Sequence, residues 1–306
     1  MSDEDISSRA CRMAAFEWLT KQTVVHDEVL PRSLLEEGFE YRGTSVKLVG
    51  PQGIFKPAQI KYYPLSITTT TRGPYRDSFD SSGNLLMYRY RGTDPEFHEN
   101  RRLRDAMRDQ IPLVYFHSTV RSRYLAIWPV FVVGDDRAKL TFTVAADDEL
   151  SLRYERDDEE PAIRRAYVTR EVRHRIHQRT FRDRVLRAYL ERCSVCNLGH
   201  TPLLDAAHII GDSDEAGDPL VSNGLSLCKL HHAAFDRSLF AIKPDYRIAV
   251  RQDILDEVDG PMLLHGLQRI DNIEIVLPAR RQDRPDRDRL DQRYQEFRRM
   301  AELIVE

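Results

Sequence analysis

Hydrophobic and polar positions along the chain predict a helix at each end and a strand-rich region between them. Apolar residues recur at helical intervals across residues 4–22 and again across residues 285–306. Between Pro64 and Gly134, four apolar runs separated by polar or glycine-containing breaks predict β-strands, and the charged segment 98–110 predicts a helix. The four runs are PLSITTTT, LLMYRYRG, IPLVYFH and RYLAIWPVFVV. This mixture predicts an α+β fold.

The C-terminal half shows a second pattern. The apolar run LLDAAHII, the turn-rich GDSDEAGDP and the run after SNGL predict strand, loop and strand, followed by a helix that begins near Lys229. LFAIKPDYRIAVRQDIL then predicts a hairpin, and IEIVLP predicts a further short strand. Upstream, four apolar residues at helical spacing predict a helix that packs on this half: Phe181, Val185, Ala188 and Tyr189.

Four potential metal ligands frame the strand, loop, strand and helix segment. Cys193 and Cys196 have the spacing of half a metal site, and Cys228 and His231 repeat that spacing after 31 intervening residues. A Cys3His set suits tetrahedral zinc and leaves no open coordination position, so the predicted zinc is structural. Taken alone, these four residues favour a zinc module in a binding protein.

Residues with catalytic chemistry lie between and beside these ligands. His208 ends the first predicted strand, Asn223 precedes the second, and His232 and Asp236 share one face of the predicted helix. A histidine on the strand opposite an imidazole and a carboxylate on the helix can enclose one divalent ion and one phosphate. With the zinc ligands, this arrangement resembles the HNH endonucleases, which have a ββα-metal fold. The flanks HQRTFRDRVLRAYLERC and FDRSLFAIKPDY are similar to those of predicted prokaryotic restriction endonucleases.

The resemblance implies a role for each of these residues. His208 corresponds to the general base that deprotonates a water molecule, and an ordinary imidazole pKa near 6.5 suits that task. The implied catalytic ion is magnesium or manganese, with His232 and Asp236 as candidate ligands. Asn223 either orients the loop or His208, or serves as a ligand.

One position departs from the family pattern. Many HNH members have an aspartate or histidine immediately before the base, where this chain has Ala207. Asp205 is the nearest carboxylate and is a further candidate ligand for the catalytic ion. Strand alternation places Asp205 on the face opposite His208 unless a bulge intervenes.

Residues 73–133 resemble a second family. The order of segments GPYRDSFDSSGNLLMYRYRG, NRRLRDAM, IPLVYF and RYLAIWPVFVV resembles a diverged SRA domain, a PUA-like fold that recognises modified cytosine. By position, the resemblance implies that Tyr75, Asp77 and Tyr90 form a pocket for a flipped base. Aromatic stacking and a carboxylate acceptor suit such a pocket. The alternative is ordinary packing, because a tyrosine in a strand is commonly a core residue.

The distribution of charge is more informative than the net charge. A formal net charge of −3 excludes a uniformly basic nucleic-acid binder. Residues 145–160 carry eight acids and two arginines, whereas residues 161–192 carry ten arginines and three acids. This reversal indicates a domain boundary followed by a basic surface that can follow a DNA backbone, or else a solvated helix face.

These observations predict the organisation and location of the protein. At 306 residues the chain can hold two domains. We expect an SRA-like domain in residues 1–150, which includes an N-terminal helical segment in residues 1–60, then a basic helical linker in 151–192 and an HNH domain in 193–306. Cys11 is the one cysteine outside the zinc set, so no disulfide framework is implied. No apolar run is long enough to span a membrane, and a cytoplasmic protein is expected.

The predicted function is a modification-dependent, type IV-like restriction endonuclease that hydrolyses double-stranded DNA containing methylated or hydroxymethylated cytosine. Cutting both strands with one active site per chain predicts a homodimer. One alternative is an HNH nuclease or nickase with a different sensor domain. A second is a catalytically silent zinc-containing DNA-binding protein.

Overall fold

The computed structural model describes residues 6–69, 78–80, 85–147, 161–211, 214 and 217–305. The chain divides into two units, Met1–Arg179 and Thr180–Glu306. Both helices and strands are present in each unit, which confirms the predicted α+β class. Within the described residues, no helix combines the length and the apolar character that crossing a membrane would need.

The first unit is built around an eight-stranded sheet. Its helices are α1 (Ile6–Val25), α2 (Arg32–Glu37) and α3 (His98–Arg108). Its strands are β1 (Val29–Pro31), β2 (Phe39–Tyr41), β3 (Thr44–Val46), β4 (Ile54–Phe55), β5 (Ser66–Thr68), β6 (Ser78–Phe79), β7 (Leu86–Arg89), β8 (Leu113–Val120), β9 (Arg123–Asp136) and β10 (Thr141–Ala146). The sheet order is β4-β5-β8-β9-β10-β7-β6, with β1 also paired to β9, and β2 and β3 form a separate hairpin. Strands β5 and β8 are parallel, whereas the other pairs are antiparallel.

Both faces of this sheet are buried, which explains why its strands are continuously apolar. In β8, Val114 and Phe116 belong to a core cluster that also contains residues of α1. Leu113 and Tyr115 belong to a second cluster, which contains residues of α3. Alternation along β8 therefore supplies two cores, one on each face of the sheet.

A buried carboxylate joins the end of the sheet to the next helix. Asp147 follows β10 and is 4% exposed. Arg164 and Arg165, at the start of α4 (Pro161–Ala188), donate from their Nε atoms to Asp147 Oδ1 and Oδ2 at 2.7 and 2.9 Å. Helix α4 begins in the first unit, and its C-terminal part belongs to the second.

Removing this carboxylate would leave two arginines without their buried partner. We expect Asp147→Ala to lower the free energy of unfolding by about 3–5 kcal/mol, as measured by urea denaturation. Glu171→Ala, at an exposed position of the same helix, is the control and is expected to change stability by less than about 0.5 kcal/mol. Equal stability of the two variants would contradict this role for Asp147.

The second unit contains the C-terminal part of α4 and the elements that follow. The strands are β11 (Leu204–His208), β12 (Gly224–Cys228), β13 (Phe240–Ile242) and β14 (Ile248–Val250). The helices are α5 (Lys229–Asp236), α6 (Gln252–Asp256), α7 (Pro261–Gly266) and α8 (Arg287–Val305). Strands β11 and β12 form one antiparallel hairpin, and β13 and β14 form another, as predicted.

The predicted packing of α4 on this half is confirmed. Phe181, Val185 and Tyr189 are at most 3% exposed and lie in the core cluster of the second unit, with Ala188 packed against that cluster. Leu290 of α8 belongs to the same cluster, so the C-terminal helix also packs here.

The strand predicted for IEIVLP, residues 273–278, is wrong. The segment has only an isolated bridge, between Glu274 and Arg247. The amide of Ile275 donates to Tyr246, whereas the amide of Val276 donates to Ser194. Because successive amides bond to different segments, no continuous ladder with one partner strand forms.

Candidate active site

The four predicted zinc ligands converge on one point. The sulfur atoms of Cys193, Cys196 and Cys228 and a ring nitrogen of His231 all lie within 4.8 Å of one another. The sulfurs of Cys196 and Cys228 are 3.9 Å apart, close to the roughly 3.8 Å expected for two thiolates at tetrahedral angles around zinc. The cluster therefore suits a metal ion that binds thiolates.

The His231 ring is oriented by a second contact. Its Nδ1 lies 3.1 Å from the sulfur of Cys228 and 3.5 Å from the sulfur of Cys193. Its Nε2 donates to the carbonyl of Gly266 at 2.8 Å. A metal-binding histidine commonly donates its other ring N–H to a carbonyl, which fixes the ring and its tautomer. The arrangement identifies Nδ1 as the ligand atom.

His208 lies at the end of β11, directly opposite Gly224 in the hairpin. Its ring stacks on Phe181 of α4, with 3.9 Å between centroids and 11° between planes. A Cβ at Gly224 would lie 2.4 Å from Val185 and 2.9 Å from Phe181. The missing side chain at Gly224 therefore lets α4 approach closely enough for Phe181 to fix the plane of the His208 imidazole.

Asn223 fixes the chain that immediately follows His208. Its Oδ1 accepts from the amide of Ile210 at 2.9 Å, and its Nδ2 donates to the carbonyls of Ile210 and Asp218 at 2.9 and 3.1 Å. Its own carbonyl accepts from the amide of Ile209 at 2.9 Å. With 0% exposure, Asn223 is placed to anchor this loop.

The three candidate ligands of a catalytic ion form a chain of contacts. His232 Nδ1 lies 3.6 Å from Asp205 Oδ2, and His232 Nε2 lies 3.4 Å from Asp236 Oδ2. Both separations exceed ordinary hydrogen-bond lengths. Carboxylate donors suit magnesium or manganese, whereas imidazole favours softer divalent ions. Because Asp205 and Asp236 face opposite ring nitrogens of His232, the ring can share an ion with one carboxylate at a time.

The strand alternation between Asp205 and His208 is unbroken in the structure. The β11–β12 register runs without a shift from Leu204 opposite Cys228 to His208 opposite Gly224, so no bulge intervenes. Residues three apart in a regular strand face opposite sides. Helix α4 nevertheless contacts both residues, His208 through Phe181 and Asp205 through Arg182, and Asp205 also contacts His232 of α5.

Two basic residues that the sequence reasoning missed also contact Asp205. Lys229 donates from Nζ to Asp205 Oδ2, and Arg182 Nε lies 3.3 Å from Oδ1. Lys229 directly follows a zinc ligand and begins α5. Its place between Cys228 and His232 was a usable signal, because the first turn of this helix lies beside the hairpin.

The contacts around Asp205 and His232 shift the pKa of both side chains. Burial acts to raise the pKa of Asp205, but contacts with His232 and Lys229 outweigh it and hold that pKa well below the ordinary value. The Asp205 contact, opposed by burial and assisted by Asp236, raises the pKa of His232. An ion that binds the His232 ring must therefore displace its proton from an imidazole more basic than a free one.

The structure does not assemble the predicted pocket for a modified base from its described residues. Tyr75 and Asp77 lie outside the described residues. Tyr90 is 2% exposed, and its ring stacks on Phe142 at 4.4 Å. Its hydroxyl donates to Asp135. Tyr90 is therefore enclosed in this structure, and the predicted pocket of Tyr75, Asp77 and Tyr90 stays a prediction.

Acidic partners neutralise much of the predicted basic surface of α4. Arg164 and Arg165 bond to Asp147, and Arg179 pairs with Asp27 and Glu28. Exposed arginines remain at other positions in residues 161–192, namely Arg170, Arg175, Arg184, Arg187 and Arg192. Composition alone therefore overstated the positive charge available to a phosphate backbone.

Comparison with known proteins identifies the central segment. Residues 193–243 match the family model described as HNH endonuclease, which confirms the resemblance drawn from the sequence. The segment contains all four predicted zinc ligands together with His208, Asn223, His232 and Asp236. No curated protein matches the chain.

Two solved structures are similar to the chain at a low level. The modification dependent TagI restriction endonuclease is 15% identical over 77% of this chain and 82% of that chain, with a TM-score of 0.27. The type IV phosphorothioation-dependent restriction endonuclease ScoMcrA is 15% identical over 60% of this chain and 54% of that chain, with a TM-score of 0.25. Scores of this size do not establish a shared overall fold.

Proposed function

We propose that this chain, whose residues 193–243 match the HNH endonuclease family, is a metal-dependent endonuclease that hydrolyses phosphodiester bonds of double-stranded DNA. The observation that carries the proposal is the hairpin β11–β12 with helix α5, which presents His208 at a strand end. Asn223 anchors the loop after that strand, and the Cys3His cluster joins the hairpin to the helix. We assign zinc to this cluster, where it is structural.

In the proposed mechanism, His208 takes a proton from the attacking water. Phe181 fixes the plane of its ring, and Asn223 fixes the backbone that follows it. His232, with either Asp236 or Asp205 beside it, would hold a magnesium or manganese ion. When bound, this ion would polarise the phosphate and stabilise the departing oxygen. Contacts with His232 and Lys229 keep Asp205 ionised in the absence of the ion.

We further propose that the first unit restricts cleavage to DNA that carries modified cytosine. The support is the resemblance of residues 73–133 to SRA domains. The predicted pocket consists of Tyr75, Asp77 and Tyr90, and Tyr90 is enclosed in this structure. Two copies of the chain would supply one active site for each strand of the duplex.

A catalytically silent DNA-binding protein is the second candidate. The ion pairs of Asp205 with Lys229 and Arg182 favour it, because they neutralise a carboxylate that the catalytic ion would use. Cleavage assays separate the two candidates directly.

The test uses the full-length protein with plasmid DNA that is unmodified, cytosine-methylated or hydroxymethylated, in the presence of magnesium or manganese. We expect cleavage of modified plasmid, with EDTA abolishing it. Equal cleavage of all three plasmids would remove the sensor function and retain the nuclease. Binding without cleavage in either metal would overturn the nuclease assignment.

A further inference from the structure

The segment from Arg280 to the first turn of helix α8 carries a cluster of arginines that the proposed mechanism does not use. It comprises Arg280, Arg281, Arg284, Arg287 and Arg289. Three of these have described contacts. Arg284 donates to the carbonyl of Pro278, Arg287 lies over the Tyr246 ring, and Arg289 lies 3.5 Å from Asp218.

Arg280 and Arg281 differ from the other three. Both side chains are exposed, and neither has an ion-pair partner within the described part of the chain. Asp283, the nearest acid in sequence, pairs with neither of them among the described contacts. Together with Gln282 they line an open cavity at the surface.

The arginine segment beside this cavity contacts a turn of the proposed active site. The short 3₁₀ helix Arg281–Asp283 packs against the 3₁₀ helix Val221–Asn223. The amide of Asp286 donates to the carbonyl of Ser222 at 2.9 Å, which fixes the arginine segment to that turn. Asn223, the next residue, anchors the backbone that follows His208. The turn Val221–Asn223 therefore contacts both the arginine segment and the backbone that follows His208, the proposed general base.

We propose that Arg280 and Arg281 form a contact surface for the DNA backbone and bind phosphates that flank the scissile one. This inference rests on the proposed function and deepens it. Guanidinium groups bind phosphate oxygens with paired N–H donors, and unpaired arginines at the edge of a cleft lose no existing ion pair on binding. Gln282 can donate from its amide to the same backbone. Such contacts add affinity and position the duplex without reading its sequence.

The experiment measures DNA affinity without cleavage. The parent is the full-length His208→Ala variant, and the probe is a fluorescently labelled duplex of about 30 base pairs, titrated at several salt concentrations. In this parent, Arg280→Ala with Arg281→Ala is expected to weaken binding about tenfold. It should also reduce the slope of log K against log salt by about 1.8, because each phosphate contact contributes about 0.9.

The matched control is Arg298→Ala with Arg299→Ala, an adjacent pair of exposed arginines on α8. It should leave both quantities close to those of the parent. A third variant, Arg280→Lys with Arg281→Lys, should restore most of the slope because the charges remain. Circular dichroism and zinc content establish that each variant is folded.

Two outcomes would overturn the proposal, and they are distinguishable. If the wild-type protein cleaves DNA but the Arg280→Ala/Arg281→Ala variant matches the control in affinity and slope, the contact surface is wrong and the nuclease assignment stands. If the His208→Ala parent binds no DNA and the wild-type protein cleaves none, the proposed function fails and the contact surface fails with it.

Discussion

Replacing His208 with alanine is expected to lower the rate of DNA cleavage by about 10²–10⁴-fold, the usual contribution of a general base. The imidazole is the one proposed proton acceptor of the mechanism, and its ring is held against Phe181 rather than exposed on a loop. The measurement is a single-turnover cleavage rate on modified plasmid with saturating protein. Under these conditions the rate reports the chemical step and not binding.

The control for this substitution is His200→Ala. His200 is exposed and precedes the short 3₁₀ helix Thr201–Leu203, so its loss should leave the rate within about twofold. Duplex affinity and melting temperature of His208→Ala should resemble those of the wild-type protein. A cleavage rate close to that of the wild type would show that another group takes the proton.

Replacing Cys193 with serine is expected to abolish stoichiometric zinc binding and cooperative folding of the second unit. Structural zinc sites contribute about 10–16 kcal/mol of apparent binding free energy, which is comparable to the whole stability of a typical domain. Cys193 is 0% exposed and belongs to the core cluster of that unit, so its loss also affects packing. Zinc content by elemental analysis and thermal melting by far-ultraviolet circular dichroism provide the measurement.

Cys11→Ala separates the loss of a thiol from the loss of a ligand. Cys11 is equally buried, but it lies in the α1 cluster of the first unit. This variant should retain one zinc per chain, with its destabilisation confined to the first unit. If Cys193→Ser also retained one zinc per chain and an unchanged melting curve, the cluster would not be a structural metal site.

Local patterns predicted those parts of the fold that local interactions decide. The hairpin around His208, the helix that starts at Lys229 and the buried stripe from Phe181 to Tyr189 all form as predicted. Each depends on periodicity or ligand spacing within a few turns. The metal cluster was predictable for the same reason, since cysteine and histidine spacing constrains it directly.

Tertiary contacts decided the features that the sequence did not predict. IEIVLP has the composition of a strand, but its amides bond to Tyr246 and Ser194 in separate segments. Tyr90 directly follows strand β7, and its ring stacks on Phe142, a contact that no local pattern specifies. The contact of Arg182 with Asp205 joins α4 to β11, so spacing in the sequence could not reveal it.

The hydrogen bond from His231 to Gly266 connects the predicted zinc cluster to helix α7, beyond the hairpin and α5. Gly266 ends helix α7, a six-residue helix whose own residues include none that are buried. So short a helix has little intrinsic stability. Chelating the ion would free the imidazole that the carbonyl of Gly266 holds, and amide protons of residues 261–266 should then exchange with solvent faster than those of β13 and β14.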